Sequence, residues 1–206
     1  MTGHPVFAAV YDRLTRSAER NFLGVHRAWL CARAAGRVLD LGAGTGANFR
    51  YLSPGTEVLA AEPDPYMLGR ARQRAAALGR SVTFLPDAAE SLSLETASVD
   101  AVLATLVLCT VDDPARALGE IHRVLKPSGR LLLLEHVRLE HPLWGRLQDV
   151  VTPVWKRLAG GCHPNRDTLP AVRRAGFTIV DLERHAFGPI PGPIFACGEA
   201  VHASIG

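Results

Sequence analysis

The sequence predicts an α/β protein: an open, mostly parallel seven-stranded sheet with an antiparallel last strand and helices on both faces. Three observations predict it. Strand-like and helix-like segments alternate along most of the chain. The apolar strand Val38-Leu39-Asp40-Leu41 runs straight into a glycine-rich turn, Gly42-Ala43-Gly44-Thr45-Gly46. The chain also closes on two strands with no long helix between them, as an antiparallel edge allows.

Each element follows in order. Residues 7–34 read as helical, because Tyr11, Leu14, Phe22, Val25, Trp29 and Leu30 recur at roughly helical spacing. Residues 37–41 form the first strand, and residues 48–52 are expected to open the first crossover helix. The second strand is 56–61. A helix follows over 64–78, with Pro65 just inside its start and Gly79 past its end. The third strand is 81–85. The fourth, 99–106, is a continuous apolar run that suits a strand buried on both faces. A helix over 114–124 stops at Pro127-Ser128-Gly129, and 130–136 forms the fifth strand. Residues 142–170 break the pattern with prolines, Gly160-Gly161 and two tryptophans, without clear strand spacing. A helix over 169–175 and strands over 177–184 and 195–203 complete the chain.

The 206 residues suit a single domain with room for a real core, and no repeat or linker divides them. The net charge is only +3, and the arginines are scattered along helix-like segments such as Arg70-Ala71-Arg72-Gln73-Arg74. That pattern is a solvated helix face rather than a nucleic-acid stripe. Cys31, Cys109, Cys162 and Cys197 are widely spaced and make no CxxC metal pattern. No metal is therefore expected, and the thiols read as reduced, in a cytoplasmic protein. No signal peptide is recognised, and no apolar run approaches the length that spans a bilayer. Peripheral contact of the N-terminal helix with a membrane is left open, as is the choice between monomer and homodimer.

The glycine-rich turn carries the first chemical signal. Glycine lets the backbone approach a ligand closely, because no Cβ stands in the way. Roughly twenty residues on, the apolar run Val58-Leu59-Ala60-Ala61 ends at Glu62, where an acid accepts from a ribose diol. The pair describes a nucleotide-type ligand across the carboxyl ends of two parallel strands. The spacing is Gly42-x-Gly44-x-Gly46 behind Asp40, not the dinucleotide G-x-G-x-x-G. An anion at Asp40 repels a pyrophosphate and suits a ligand with a positive amino group, which speaks against an NAD(P) oxidoreductase. The bland alternative is a tight turn that binds nothing.

Asp40-x-Gly42-x-Gly44-x-Gly46, followed by a strand ending in an acid, resembles the class I S-adenosylmethionine-dependent methyltransferases. The resemblance implies a Rossmann-like class I methyltransferase fold, S-adenosyl-L-methionine as cofactor and S-adenosyl-L-homocysteine as product. It implies that Asp40 and the backbone of Gly42, Ala43, Gly44 and Gly46 hold the methionine end, and that Glu62 holds the ribose. Asp87 and Ala88 would read the adenine, and the main chain of Ala104 and Thr105 would face the methionine part. Asn48, Pro63, Met67, Ala89 and Leu106 complete the expected cofactor set. Tyr11-Asp12 resembles the "YD" of small-molecule members, where the tyrosine helps close the pocket; the alternative for Tyr11 is a core aromatic. Arg123-Val124-Leu125-Lys126-Pro127-Ser128-Gly129 resembles the family's "R-x-L-K-P-G-G" turn, a helix stop without chemistry of its own.

One subgroup is resembled in particular, the methyltransferase-like seven family, whose characterised members are thiol methyltransferases. The matching pieces are Thr105-Leu106-Val107-Leu108-Cys109-Thr110-Val111, Glu135-His136-Val137, Gln148 with Pro153, Trp155 and Lys156, then Gly161-Cys162 and Arg166. They imply a small-molecule acceptor, in the first place a thiol. A quinone or phenol, a phospholipid amine, and a non-catalytic S-adenosylmethionine-binding protein are the alternatives. Animal members carry an apolar N-terminal anchor, which Met1-Thr2-Gly3-His4-Pro5 does not begin. Acceptor specificity is expected in an N-terminal helical cap, 1–35, and an acceptor-side insertion, 137–170, because loops at strand ends carry function. The expected pocket residues are Trp144, Trp155, Cys162, His163 and Arg166. Candidate bases are His136, at the carboxyl end of the fifth strand, and Asp149. An imidazole with an ordinary pKa of about 6.5 suits that task, although a thiol with a pKa of about 8.5 ionises readily without much help.

Overall fold

The computed structural model describes residues 16–139, 141–186 and 194–203. The helix expected over 7–34 is described from residue 16; Tyr11 lies outside the described residues. A π-helical turn, Glu19–Leu23, leads into α1, Gly24–Cys31. The strands are β1 (Arg37–Leu41), β2 (Glu57–Ala61), β3 (Val82–Leu85), β4 (Val99–Thr105), β5 (Leu125–Val137), β6 (Phe177–Ala186) and β7 (Ile194–His202). The remaining helices are α2 (Pro65–Ala77), α3 (Pro114–Val124), α4 (Pro142–Leu158) and α5 (Thr168–Arg174).

The strands form one sheet in the order β3-β2-β1-β4-β5-β7-β6. Pairing is parallel from β3 to β5, and β7 runs antiparallel to both β5 and β6. This is the mostly parallel sheet with an antiparallel last strand that the sequence predicts. Strand order reverses between β1 and β4, and open α/β sheets bind ligands in the crevice outside the carboxyl ends at such a point.

Side chains alternate across the sheet with a period of two. Leu39, Leu41, Leu59, Val102, Leu131 and Leu133 pack one face against α3 and α5 through Leu118, Ile121, Leu169 and Val172. Val38, Val58, Ala60, Leu103, Leu132 and Leu134 pack the other against α1 and α2 through Leu30, Cys31, Ala71 and Ala75. The pairings Asp40↔Leu103 and Thr105↔Leu134 place Asp40 and Thr105 on this second face, and His136 lies two residues beyond Leu134. All three polar residues are buried, and all three stand at the carboxyl edge. A polar residue on an otherwise apolar face is the exception that asks for a reason.

Helices α2 and α3 start as their sequences dictate. Asp64 and Asp113 each accept two backbone N–H groups of the first turn, and each is followed by a proline. Two regions depart from expectation. Residues 48–52 form no helix: Gly46, Phe49 and Tyr51 donate to the carbonyls of Ala43, Gly46 and Asn48, a chain of tight turns. Gly44 and Gly46 sit at φ of 56° and 78°, outside the helical region, so the chain enters as turns. The second departure is α4, a helix where prolines and glycines suggested irregular chain. Its buried side carries Gln148 and Thr152, whose side chains bond to main chain at Leu139 and Gln148. Its apolar residues Leu143, Leu147, Val150, Val151 and Val154 face outward. The helix is thus held inward by hydrogen bonds rather than by an apolar stripe. Among the described residues no helix is long and apolar enough to cross a membrane.

Candidate active site

Asp40, next to last in β1, carries a fully buried carboxylate. Its Oδ1 accepts from Asn48 Nδ2 at 2.8 Å, and its Oδ2 has no partner. Behind it, Arg27 of α1 donates to Asn48 Oδ1 at 2.8 Å and to Thr105 Oγ1 at 2.9 Å, while its Nε pairs with Glu19 at 3.1 Å. Asn48 Nδ2 also donates to Thr105 Oγ1 at 3.0 Å. Asn48 and Thr105, expected at the cofactor, therefore spend their side chains on positioning Asp40. Burial pushes the Asp40 carboxyl up to about 6, opposed by the Asn48 hydrogen bond and the Arg27 charge. A buried carboxylate with an unpartnered oxygen is costly unless a ligand completes it. A cationic hydrogen-bond donor would complete it.

The glycine turn leaves β1 through Gly42 at φ 59°. A Cβ there would stand 2.4 Å from Val107 Cγ2, so only glycine fits between the turn and the segment after β4. Ala43 N–H donates to Ala61 O at 3.0 Å and anchors the turn on β2. Glu62 directly follows β2; its Oε2 accepts from Gly44 N–H and its Oε1 from Asp64 N–H, both at 2.9 Å. Each oxygen keeps a second lone pair, so a diol can still be received. Burial raises the Glu62 pKa. Pro63 follows, and Met67 is buried in the first turns of α2. Asp87, after β3, accepts from Ser93 N–H and Oγ through Oδ2 alone, and Ala88 bridges to Ser91. Ala89 is buried beside this turn.

The end of β4 is strained. Ala104 and Thr105 are buried, and Leu106 takes φ 60°, a left-handed value that costs a side-chain-bearing residue about 1–3 kcal/mol. Glu135 holds the turn that follows. Its fully buried carboxylate accepts from the N–H groups of Val107 (2.9 Å), Leu108 (2.8 Å) and Cys109 (3.1 Å). Burial pushes the Glu135 carboxyl up to about 7 against those three donors. The segment after α4 is sewn to the same turn: His163 N–H donates to Cys109 O at 2.8 Å, and Arg166 Nη1 donates to Leu108 O and Val111 O at 2.7 and 2.8 Å. Arg166 and His163 thus hold main chain.

His136 meets two cysteines there. Its Nδ1 lies 3.3 Å from Cys162 Sγ and 3.7 Å from Cys109 Sγ, and the sulfurs are 3.6 Å apart. All three residues are buried, with Phe195 against the imidazole at 4.3 Å between ring centroids. Cys109 keeps its proton against Cys162, so Cys162 is the more acidic thiol, its pKa below the ordinary range. Trp155 lies beside Cys162; Trp144, eleven residues earlier and about 16 Å along α4, is exposed. Asp149 is exposed and engaged: Arg138 donates to both its oxygens at 2.6 and 2.8 Å, and Asn165 donates at 2.8 Å. Those donors hold its carboxyl down at about 2, far too acidic for a general base.

The structure thus gathers Asp40, the glycine turn, Glu62 and Asp87 along one sheet edge and sets His136 with Cys162 and Trp155 beside it. It leaves Trp144 and Asp149 outside. Arg27, Cys109 and Glu135 carry parts of the site that the residue-by-residue reading did not assign. The signal for Glu135 was an acid in an apolar strand, and for Arg27 a cation on the buried side of an amphipathic helix.

Comparison with known proteins bears on the family of the chain. A model of the methyltransferase domain matches residues 39–133. Human thiol S-methyltransferase TMT1A is 32% identical over 191 residues, 89% of this chain and 77% of the relative. Rat thiol S-methyltransferase TMT1B is 38% identical over 154 residues, 71% of this chain and 62% of the relative, so the chain spans less than two thirds of that protein. Demethylmenaquinone methyltransferase of Thermus thermophilus is 41% identical over 106 residues, half of this chain and 48% of the relative. Among solved structures, an S-adenosylmethionine dependent methyltransferase from Mesorhizobium loti superposes with a TM-score of 0.64 at 23% identity, covering 86% of this chain and 95% of its own. The [4+2]-cyclase SpnF superposes with a TM-score of 0.70 at 23% identity over 93% and 83%. One fold thus hosts different chemistries, and the site must decide between them. With its sheet order and a relative of 32% identity across most of both chains, the protein belongs to the class I S-adenosylmethionine-dependent methyltransferases, close to the relatives named thiol S-methyltransferases.

Proposed function

We propose that this chain transfers the methyl group of S-adenosyl-L-methionine to a small thiol. The observation that carries the reading is Asp40, whose buried oxygen without a hydrogen-bond partner lies two residues ahead of the glycine turn and would suit the donor's ammonium. Gly42, Ala43, Gly44 and Gly46 offer backbone to the methionine part, as does the main chain of Ala104, Thr105 and Leu106. Glu62 with Pro63 receives the ribose, Met67 lines that side, and Asp87 with Ala88 and Ala89 receives the adenine. The donor supplies an activated methyl group, so the protein's work is alignment of the acceptor and exclusion of water.

The thiol is supported by the similarity to TMT1A and TMT1B and by the soft, buried His136–Cys109–Cys162 cluster at the acceptor end. A thiol acceptor needs no strong base, which agrees with Asp149 being engaged elsewhere. We place the acceptor between this cluster and Leu106, with the segment 137–170 forming its outer wall. A turnover panel tests the reading: an alkyl thiol and hydrogen sulfide beside a demethylmenaquinone analogue, a phenol and a phosphatidylethanolamine vesicle. Methylation of the thiols alone is expected. Methylation of the quinone or the lipid amine, with the thiols untouched, contradicts the thiol reading and keeps the donor site. Binding of the donor with no acceptor methylated contradicts an enzymatic role.

A further inference from the structure

We infer that Cys109, His136 and Cys162 form a zinc site whose open fourth position takes the acceptor thiol as a thiolate. The acceptor half rests on the thiol reading above; the metal half does not.

Geometry carries it. A tetrahedral zinc with bonds of about 2.3 Å to sulfur and 2.0–2.1 Å to nitrogen places two sulfurs about 3.8 Å apart and sulfur about 3.6 Å from nitrogen. The chain presents 3.6 Å between sulfurs and 3.3 and 3.7 Å from sulfur to Nδ1. The three donors already stand at the corners of one face of that tetrahedron, within a few tenths of an ångström. Two thiols and an imidazole are a soft donor set, suited to zinc rather than to magnesium or calcium. Among the described residues these three are the donors within reach, so one position stays open, as in catalytic rather than structural zinc sites.

The surroundings are built for such a site. Cys109 is fixed through its own main chain, its N–H held by Glu135 and its carbonyl by His163 N–H. Cys162 N–H is held by Ala159 O at 3.1 Å. Trp155 Nε1–H is buried beside Cys162, where it can donate to a metal-bound sulfur. Two thiolates balance the charge of the dication, so the filled site adds no net charge to a buried place. His136 projects from the same sheet face as Asp40 and Thr105, at the same carboxyl edge.

In this arrangement His136 serves as a ligand through Nδ1 rather than as a general base. The acceptor thiol releases its proton to solvent on joining the metal. Its sulfur then forms the new bond to the methyl carbon, and the electron pair of the broken carbon–sulfur bond stays on S-adenosylhomocysteine. The neutral thioether is a poorer ligand than a thiolate and leaves.

The test strips the full chain with a chelator, returns zinc, and reads stoichiometry by elemental analysis and affinity by competition with a chromophoric chelator. One zinc per chain is expected, with binding weakened roughly 100-fold or more in Cys162→Ser and in His136→Gln. Calorimetric binding of S-adenosylhomocysteine by each variant shows that the fold and donor site persist. Cobalt in place of zinc should show sulfur-to-metal charge transfer, and ethanethiol should shift that spectrum. No stoichiometric zinc on the wild-type chain, or equal affinity in the variants, overturns the site. A cobalt spectrum unmoved by ethanethiol overturns the acceptor half alone. Metal and S-adenosylhomocysteine bound without turnover of any thiol counts against the thiol reading and leaves the metal site standing.

Discussion

Replacing Asp40 by asparagine should move stability and ligand affinity in opposite directions. Burial raises this carboxyl from 3.8 to about 6, because the ionised form is short of partners in the ligand-free fold. A group whose folded pKa lies above its unfolded value contributes stability that is fully present below the unfolded pKa and is lost as pH rises through the folded one. For Asp40 that window runs from near pH 4 to above pH 6, and the shift corresponds to about 3 kcal/mol. At pH 7.5 the asparagine variant keeps the bond from Asn48 and escapes that cost, so its ligand-free melting temperature should rise. Its affinity for S-adenosylhomocysteine should fall, because the donor's ammonium loses a charged partner worth about 1.5–3 kcal/mol, roughly 10- to 100-fold. Wild-type affinity should also decline below about pH 6, as Asp40 takes up a proton, and the variant should lose that part of the pH dependence. Differential scanning fluorimetry with calorimetry between pH 5 and pH 8 reads both quantities. An asparagine variant that binds as tightly as wild type refutes the assignment of Asp40 to the ammonium, and one that melts lower refutes the burial cost.

Three further substitutions probe the rest of the edge. Glu62→Ala should weaken S-adenosylhomocysteine binding by about 1–3 kcal/mol by calorimetry, the loss of a charged hydrogen-bond partner, and unchanged affinity would displace the ribose from Glu62. Gly42→Ala should lower the melting temperature by the equivalent of about 1–3 kcal/mol and impair donor binding, since its Cβ would meet Val107 at 2.4 Å with φ at 59°. Glu135→Ala leaves three buried N–H groups without their acceptor and should lower the unfolding free energy, read by urea titration, by about 3 kcal/mol or more; a loss under about 1 kcal/mol would mean that water replaces the carboxylate.

The strands and the glycine turn at the carboxyl edge were legible in the sequence because each depends on a local pattern. Buried parallel strands read as apolar runs, and Asp64 and Asp113 ahead of their prolines mark two helix starts. The glycine turn is equally local, since Gly42 and Gly46 need φ values that other residues avoid. What stayed hidden depends on distance in the chain. Cys109, His136 and Cys162 are 27 and 26 residues apart, and only the sheet edge and the return of the chain after α4 bring them together. Arg27 reaches Thr105 across 78 residues, so its role as the prop behind Asp40 has no local mark. Helix α4 was read as irregular because Pro153 interrupts it and because its inward side is polar, the inverse of the usual amphipathic signal.

The most direct test of the account is calorimetric titration with S-adenosylhomocysteine, followed on the same preparation by methylation of hydrogen sulfide and an alkyl thiol. The account predicts micromolar binding at one site per chain and S-methylated product. Absence of binding would contradict the donor site at Asp40 and Glu62, and with it the central claim.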